Sequence, residues 1–361
     1  MDTETEKKEL KKIRDYWFDN AKAFLIFTVV LGHMAEVLLT VSPYKTEPEW
    51  LRMLYNVIYV FHMPVFMIIS GRFAKRRVEN NDFVSVINML IVPYLVCQTI
   101  MLFFYSFFNY EGTSDFSYLK PYYGLWYLLM LGIYQIITPH ILKAIRSKTL
   151  FFILFSGLAI LLSLGEKSFY GNFQRFFNYY PFFIFGLITS DFKFNFCKKI
   201  VFRILSLLAF ILLVYAVLNS SDYLQVKMLS GKRVYSQVAE FLDISRLQFI
   251  IFQILRFGLG ILFFFFVLGI SPHNKNIFSF MGTNSTYIYI LHLFVAVALI
   301  ALGEKYQVLD FCQNEIYSLI FCILSFPLCL VLASPPFRKL FKWLVSPNFD
   351  LKKIAQQILK Q

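Results

Sequence analysis

The feature that most constrains this chain is a recurrence of apolar runs, each about 20 residues long and separated by short polar breaks. Runs of that length suffice to cross roughly 30 Å of hydrocarbon as helices. They fall near 17–41, 50–70, 83–108, 122–141, 149–165, 175–190, 200–218, 246–270, 285–303 and 311–334. The pattern predicts an all-α, polytopic integral membrane protein with about ten transmembrane helices. The fifth and sixth runs are short, and the third is long enough to tilt. Composition agrees, since 58% of the residues are hydrophobic and 16% charged, far from the balance of a soluble domain. The first run follows KKELKKIRDYW and ends without a small-residue cleavage site, so it reads as a retained helix and not a signal peptide.

A net charge of +13 raises the question of nucleic acid. The basic residues form no stripe and no nucleic-acid motif accompanies them, so no nucleic-acid partner is expected. They lie in the breaks between runs, where they report orientation. With the N-terminus cytoplasmic, the inner segments hold 24 of the 35 lysines and arginines, and the outer segments ten. This asymmetry predicts N- and C-termini that are both cytoplasmic, and an outer loop at 219–245. The five cysteines lie in or beside apolar runs without CxxC spacing, which reads as apolar filler. No metal site is expected.

Several spans carry residues that a bilayer disfavours. In "DNAKAFLIFTVVLGHMAE", Lys22 and His33 are eleven residues apart, close to three helical turns, so both lie on one face, with Glu36 a turn further. At 1.5 Å per residue His33 lies about 18 Å along its span, His62 about 12 Å from the cytoplasmic end of the second, and His292 about 11 Å along the ninth. Each alone is accounted for by a hydrogen bond between helices. Three at one depth point to a shared polar cavity. Tyr55, Tyr59 and His62 share one helix face, and Ser285, Tyr289 and His292 another. After the second span, SGRFAKRRVEN gathers Arg72, Lys75, Arg76 and Arg77. Such a cluster serves either as a topogenic signal or as a cradle for the phosphates of a cytosolic anion.

Read in order, "FDNAKAFLIFTVVLGH", "FHMPVFMIISG", "VPYL", "LWYLLML" and "GTNSTYIYILH" resemble the membrane acyltransferase-3 family, in particular its branch of fucose 4-O-acetylase-like proteins. The family places a basic residue, usually arginine, with ten residues between it and a histidine on the first helix. Lys22 and His33 fill that spacing, lysine keeping the charge without the bidentate fork. The family's pair of arginines with two residues between them is matched imperfectly by Arg72 and Lys75, or by Arg72 with Arg76 and Arg77.

The resemblance implies a membrane domain over 17–334, flanked by basic cytoplasmic segments at 1–16 and 335–361, in a stand-alone form with no appended extracytoplasmic domain. It implies an O-acetyltransferase of the bacterial cytoplasmic membrane, with acetyl-CoA as co-substrate, no permanently bound cofactor, and a sugar of a surface polysaccharide such as capsule, or of a lipid-linked glycan, as acceptor. His33 is then the base or acyl carrier and Glu36 its orienting carboxylate. Lys22, Arg72, Lys75, Arg76 and Arg77 face the donor; Asp19, His62, Tyr289 and His292 support the site or meet the acceptor. The competing class is a transporter or flippase of lipid-linked sugar or a small anion. Against it, Pro64 and Pro93 have no matching helix breaks in the second half.

Overall fold

A computed structural model describes residues 16–41, 48–108, 116–170, 173–219 and 226–347. The expected cytoplasmic segment before Tyr16, Lys45 and the end of the basic tail lie outside the described residues. The twelve principal helices are α1 (Tyr16–Val41), α2 (Glu49–Glu79), α3 (Phe83–Phe107), α4 (Tyr123–Ala144), α5 (Lys148–Ser163), α6 (Phe173–Ile188), α7 (Ile200–Leu218), α8 (Tyr235–Leu242), α9 (Arg246–Ile270), α10 (Ile277–Thr283), α11 (Ser285–Tyr306) and α12 (Glu315–Ala333). No strand occurs among the described residues.

Eight of these helices are long and apolar enough to cross a membrane: α1, α2, α3, α4, α7, α9, α11 and α12. The other two expected spans are α5 and α6, each of 16 residues. At 1.5 Å per residue these measure about 24 Å, short of the roughly 30 Å a lone span needs. Both instead pack along their neighbours, α5 on α6 and α6 on α2. The short helix α10, which hydropathy does not single out, packs extensively on α1.

The helices divide by what they face. Two-thirds of the apolar stretch of α4 (67%) is buried, against 11% of that of α7. Most Ile, Leu and Val side chains of α7 point outward, Leu213 and Val217 excepted, as suits a helix solvated by lipid. At the centre, α1 and α2 pack on each other and together carry α6, α9, α10 and α11. Glycines make the closest crossings possible. A Cβ at Gly71 would sit 2.0 Å from the Phe183 carbonyl oxygen, and one at Gly186 1.8 Å from that of Ile68, so α2 and α6 touch backbone to backbone.

The start of α1 is fixed by polar ties. Trp17 Nε1 donates to the Leu268 carbonyl at 2.8 Å, and Asn20 Nδ2 to those of Pro272 and Asn274 at 2.7 and 3.0 Å. Ser279 Oγ donates to Asn20 Oδ1 at 2.7 Å. In a medium without water such bonds satisfy groups that would otherwise be orphaned. They also set the rotation of α1, and with it the direction of Lys22 and His33.

Candidate active site

His33 sits in a closed triangle. Its Nδ1 lies 2.8 Å from Glu36 Oε2 and 2.9 Å from the Tyr123 hydroxyl, and that hydroxyl donates to Glu36 Oε2 at 2.8 Å. The single phenolic proton is engaged by Glu36, so it is His33 Nδ1–H that donates to both oxygens. The lone pair of the neutral ring is then on Nε2. His33 and Glu36 line a cavity of about 90 Å³ with Tyr59, His62, Arg175 and Lys232.

Tyr123 reaches this position through a loop held by α3. Gln98 Nε2 donates to the carbonyls of Ser117 and Lys120 at 3.1 and 2.9 Å, and its Oε1 accepts from Tyr122 N at 2.9 Å. The next residue, Tyr123, has φ of 44°. A bulky residue in the left-handed region carries strain that the surrounding structure must hold. Gly124 follows because a Cβ there would meet Leu293 Cδ2 at 2.6 Å.

A second cavity, of about 410 Å³, opens beside the first turns of α1. Lys22 and Arg77 line it with Ser70, Tyr127, Asn284 and Tyr289, among apolar walls that include Phe66, Phe73 and Met89. Eleven residues of α1 separate Lys22 from His33, about 16 Å along the axis, so the two cavities lie at different depths of one helix bundle. The partition is thin. Tyr289 lines the larger cavity, and its hydroxyl donates to the carbonyl of Gly124, which lines the smaller. Ring centroids run from Tyr127 to Tyr289 at 5.2 Å, Tyr289 to His292 at 5.9 Å and His292 to His33 at 5.2 Å.

The predicted residues thus divide. His33, Glu36 and His62 share one cavity, and His292 contacts His33 from α11 while Tyr289 faces the other. His62 and His292 each donate Nδ1–H to the carbonyl four residues earlier, at 2.7 and 2.9 Å, so their bare nitrogen is also Nε2. Lys22 Nζ pairs with Asp19 at 2.7 Å. The four-residue basic cluster is not brought to one place. Arg77 lines the larger cavity and donates to Gln135 Oε1 at 2.7 Å. Arg72 donates to the carbonyls of Thr189 and Phe192 at 2.8 and 2.9 Å, and Lys75 pairs with Asp191 and, at 3.7 Å, Glu79. That hydrogen bond from Lys75 holds the Asp191 carboxyl below its usual range. Arg76 is exposed.

Tyr123 and Arg175 are site residues that sequence reading missed. Tyr123 opens α4, 90 residues beyond His33, and nothing in its neighbourhood marks it. Arg175 stands in the apolar run FQRFFNYYPFF. That setting is a signal for buried function, although its place near the end of the run makes it read as a boundary charge.

An all-α polytopic membrane protein with a histidine–carboxylate pair between two polar cavities is the class these features define. The chain belongs to the acyltransferase-3 family: residues 15–334 match its acyltransferase domain. Among curated proteins it is similar to nodulation protein NolL of Sinorhizobium fredii (strain NBRC 101917 / NGR234), 33% identical over 130 residues, which is 32% of this chain and 34% of that protein. It is also similar to nodulation protein NolL of Mesorhizobium japonicum (strain LMG 29417 / CECT 9101 / MAFF 303099), 34% identical over 92 residues, 24% of each chain. The match therefore spans about a third of the length of the first relative and about a quarter of the second. No solved structure matches the chain.

Proposed function

We propose that this protein is an integral membrane O-acetyltransferase that moves acetyl from cytosolic acetyl-CoA to a sugar hydroxyl of a bacterial cell-surface polysaccharide or its lipid-linked precursor. The observation that carries this reading is the pair of cavities at two depths of α1, with His33 and its bare Nε2 beside a partition one tyrosine thick. The 24 basic residues of the inner segments support assigning the Lys22 cavity to the cytosol. Lys22 and Arg77 are then the donor-side cations, with apolar walls suited to a pantetheine arm. Arg76, exposed at the same end of α2, meets the phosphates outside the cavity, while Arg72 and Lys75 anchor the 189–192 turn.

In the transfer, the acceptor oxygen bonds to the thioester carbonyl carbon, the carbon–sulfur bond breaks, and the CoA thiolate leaves. His33 Nε2 takes the hydroxyl proton, or takes the acetyl group first and yields it to the acceptor. Glu36 and Tyr123 hold the ring and stabilise its cation, the role of a carboxylate in a triad. Purified protein supplied with acetyl-CoA should release free CoA thiol only when a glycan acceptor is present, with the O-acetyl group appearing on the glycan by mass spectrometry. Absence of glycan-dependent thiol release across neutral and charged acceptors would overturn the reading, as would vesicle uptake of a sugar without thioester cleavage.

A further inference from the structure

The smaller cavity holds two cations that make no hydrogen bond to the triangle. Arg175 is 7% exposed. Its Nε donates to the Ser230 carbonyl at 3.0 Å and its guanidinium lies 4.4 Å from the Trp126 ring, while its terminal amino groups make no hydrogen bond among the described residues. Lys232 lines the same cavity, and its ammonium has neither hydrogen bond nor ion pair among the described residues. Glu36, the carboxylate of that cavity, is hydrogen-bonded by His33 and Tyr123 and reaches the two cations through its charge alone.

This closeness is built, not incidental. Successive carbonyls of Leu229, Ser230 and Gly231 are held by Tyr179 Oη at 3.3 Å, Arg175 Nε at 3.0 Å and Asn178 Nδ2 at 3.0 Å, all from α6. Gly231 adopts φ of +68°, and a Cβ there would lie 2.9 Å from Tyr179 Cε2. Arg256, buried within α9, leaves Nε and Nη1 without partners behind this strap. The strap delivers Lys232, an exposed residue, so near Arg175 that the guanidinium charge pushes the ammonium down to about 8. Like charges fixed together repel, and an anion between them turns repulsion into two charge-assisted hydrogen bonds. Lys232 also lines an adjoining basin of about 290 Å³ with Arg233, Ser168, Gln237 and Glu240, polar enough for a sugar.

We propose that Arg175 and Lys232 form an anion subsite for a phosphate or carboxylate carried by the acceptor glycan, on the acetylated sugar or the one next to it. This rests on the acetyltransferase reading for the word acceptor, and on geometry alone for the anion. Phosphate and carboxylate share the chemistry and differ in source, a sugar phosphate or a uronic acid.

The test is equilibrium binding to the full-length protein in detergent, at fixed ionic strength and pH 7, of glucose 1-phosphate, glucuronate and glucose. At least one charged sugar should bind tenfold or more tightly than glucose. Lys232→Gln should abolish most of that preference, whereas Lys305→Gln, an exposed lysine at the end of α11, should keep it. Preference for glucose 1-phosphate alone identifies a phosphate, for glucuronate alone a uronate, and for both a shared oxyanion site. Equal affinity for all three sugars overturns the proposal, as does an unchanged preference in Lys232→Gln. Because the readout is binding, a Lys232-dependent preference in a protein that transfers no acetyl group would sink the acetyltransferase reading and leave the subsite standing.

Discussion

At the cavity beside the start of α1, each cation that lines the wall has a partner: Lys22 pairs with Asp19, and Arg77 donates to Gln135. At the cavity around His33, Arg175 keeps its terminal amino groups free of hydrogen bonds among the described residues, and Lys232 has no partner there. A partnered cation is positioned in advance and adds a modest increment when a ligand arrives. An unpartnered pair is held under repulsion that a ligand relieves, so more of its interaction energy depends on what binds. The difference suits the proposed roles. A donor with several phosphates offers ample charge, so its cavity needs placement, whereas an acceptor with one anionic group gives the site little else charged to recognise.

The largest test of this contrast lies between the cavities. His33→Gln keeps a hydrogen-bonding side chain but loses the base and nucleophile, so turnover should fall by about 100-fold or more while acetyl-CoA still binds. Near-normal O-acetylation, measured by NMR of the purified polysaccharide at matched protein levels, would break the contrast by removing its catalytic centre. Next is Lys22→Met, expected to remove most activity and weaken acetyl-CoA binding by about tenfold, while Lys22→Arg keeps substantial activity. Equal affinity for acetyl-CoA in all three proteins would free the larger cavity from its donor role.

Tyr123→Phe and Glu36→Gln sharpen the reading of the triangle. Each leaves at least one Nδ1–H acceptor in place, so each should cost about tenfold in turnover, less than loss of His33. A loss as large as that of His33→Gln would make either residue part of the bond-making step.

A fourth expectation concerns pH. Lys232 faces Arg175 from α6, Glu36 from α1, Tyr59 from α2, Tyr179 from α6 and Arg233 on its own strap. With its pKa lowered to about 8, the free site is half protonated there, and a bound anion raises the value. Anion binding at pH 8 should take up part of a proton, read by calorimetry in buffers of different ionisation heat, and affinity should fall as pH rises beyond 8. No uptake at pH 8 would remove Lys232 from the subsite. The smallest effect is expected for Arg76→Ala. As an exposed charge outside the cavity, it should weaken acetyl-CoA binding only about two- to threefold, and less at high salt.

Legibility from sequence followed the range of the interaction. Lys22, His33 and Glu36 were readable together because helical spacing alone sets them on one face; in the fold Lys22 lines the larger cavity, and His33 and Glu36 the smaller. The cluster from Arg72 to Arg77 looked like one unit, yet successive helical residues point about 100° apart, and neighbours sent them separate ways: Arg72 to two carbonyls of the 189–192 turn, Lys75 to Asp191, Arg77 to Gln135 and Arg76 outward. The 219–245 segment read as an outer loop. In the fold, its residues 229–232 are drawn into the site by side chains of α6, more than 45 residues away.

By itself the sequence determined the class of solvent this chain folds in, the helical runs, and the histidines at similar depth, since hydropathy and helical rise are properties of the local chain. Only the tertiary structure decided that α5 and α6 pack along their neighbours, that Tyr123 closes the His33–Glu36 triangle, and that Arg175 and Lys232 meet in one cavity. Those outcomes depend on which helix backbones touch, at Gly71 and Gly186 above all, and on hydrogen bonds that a water-free interior requires between segments far apart in the chain.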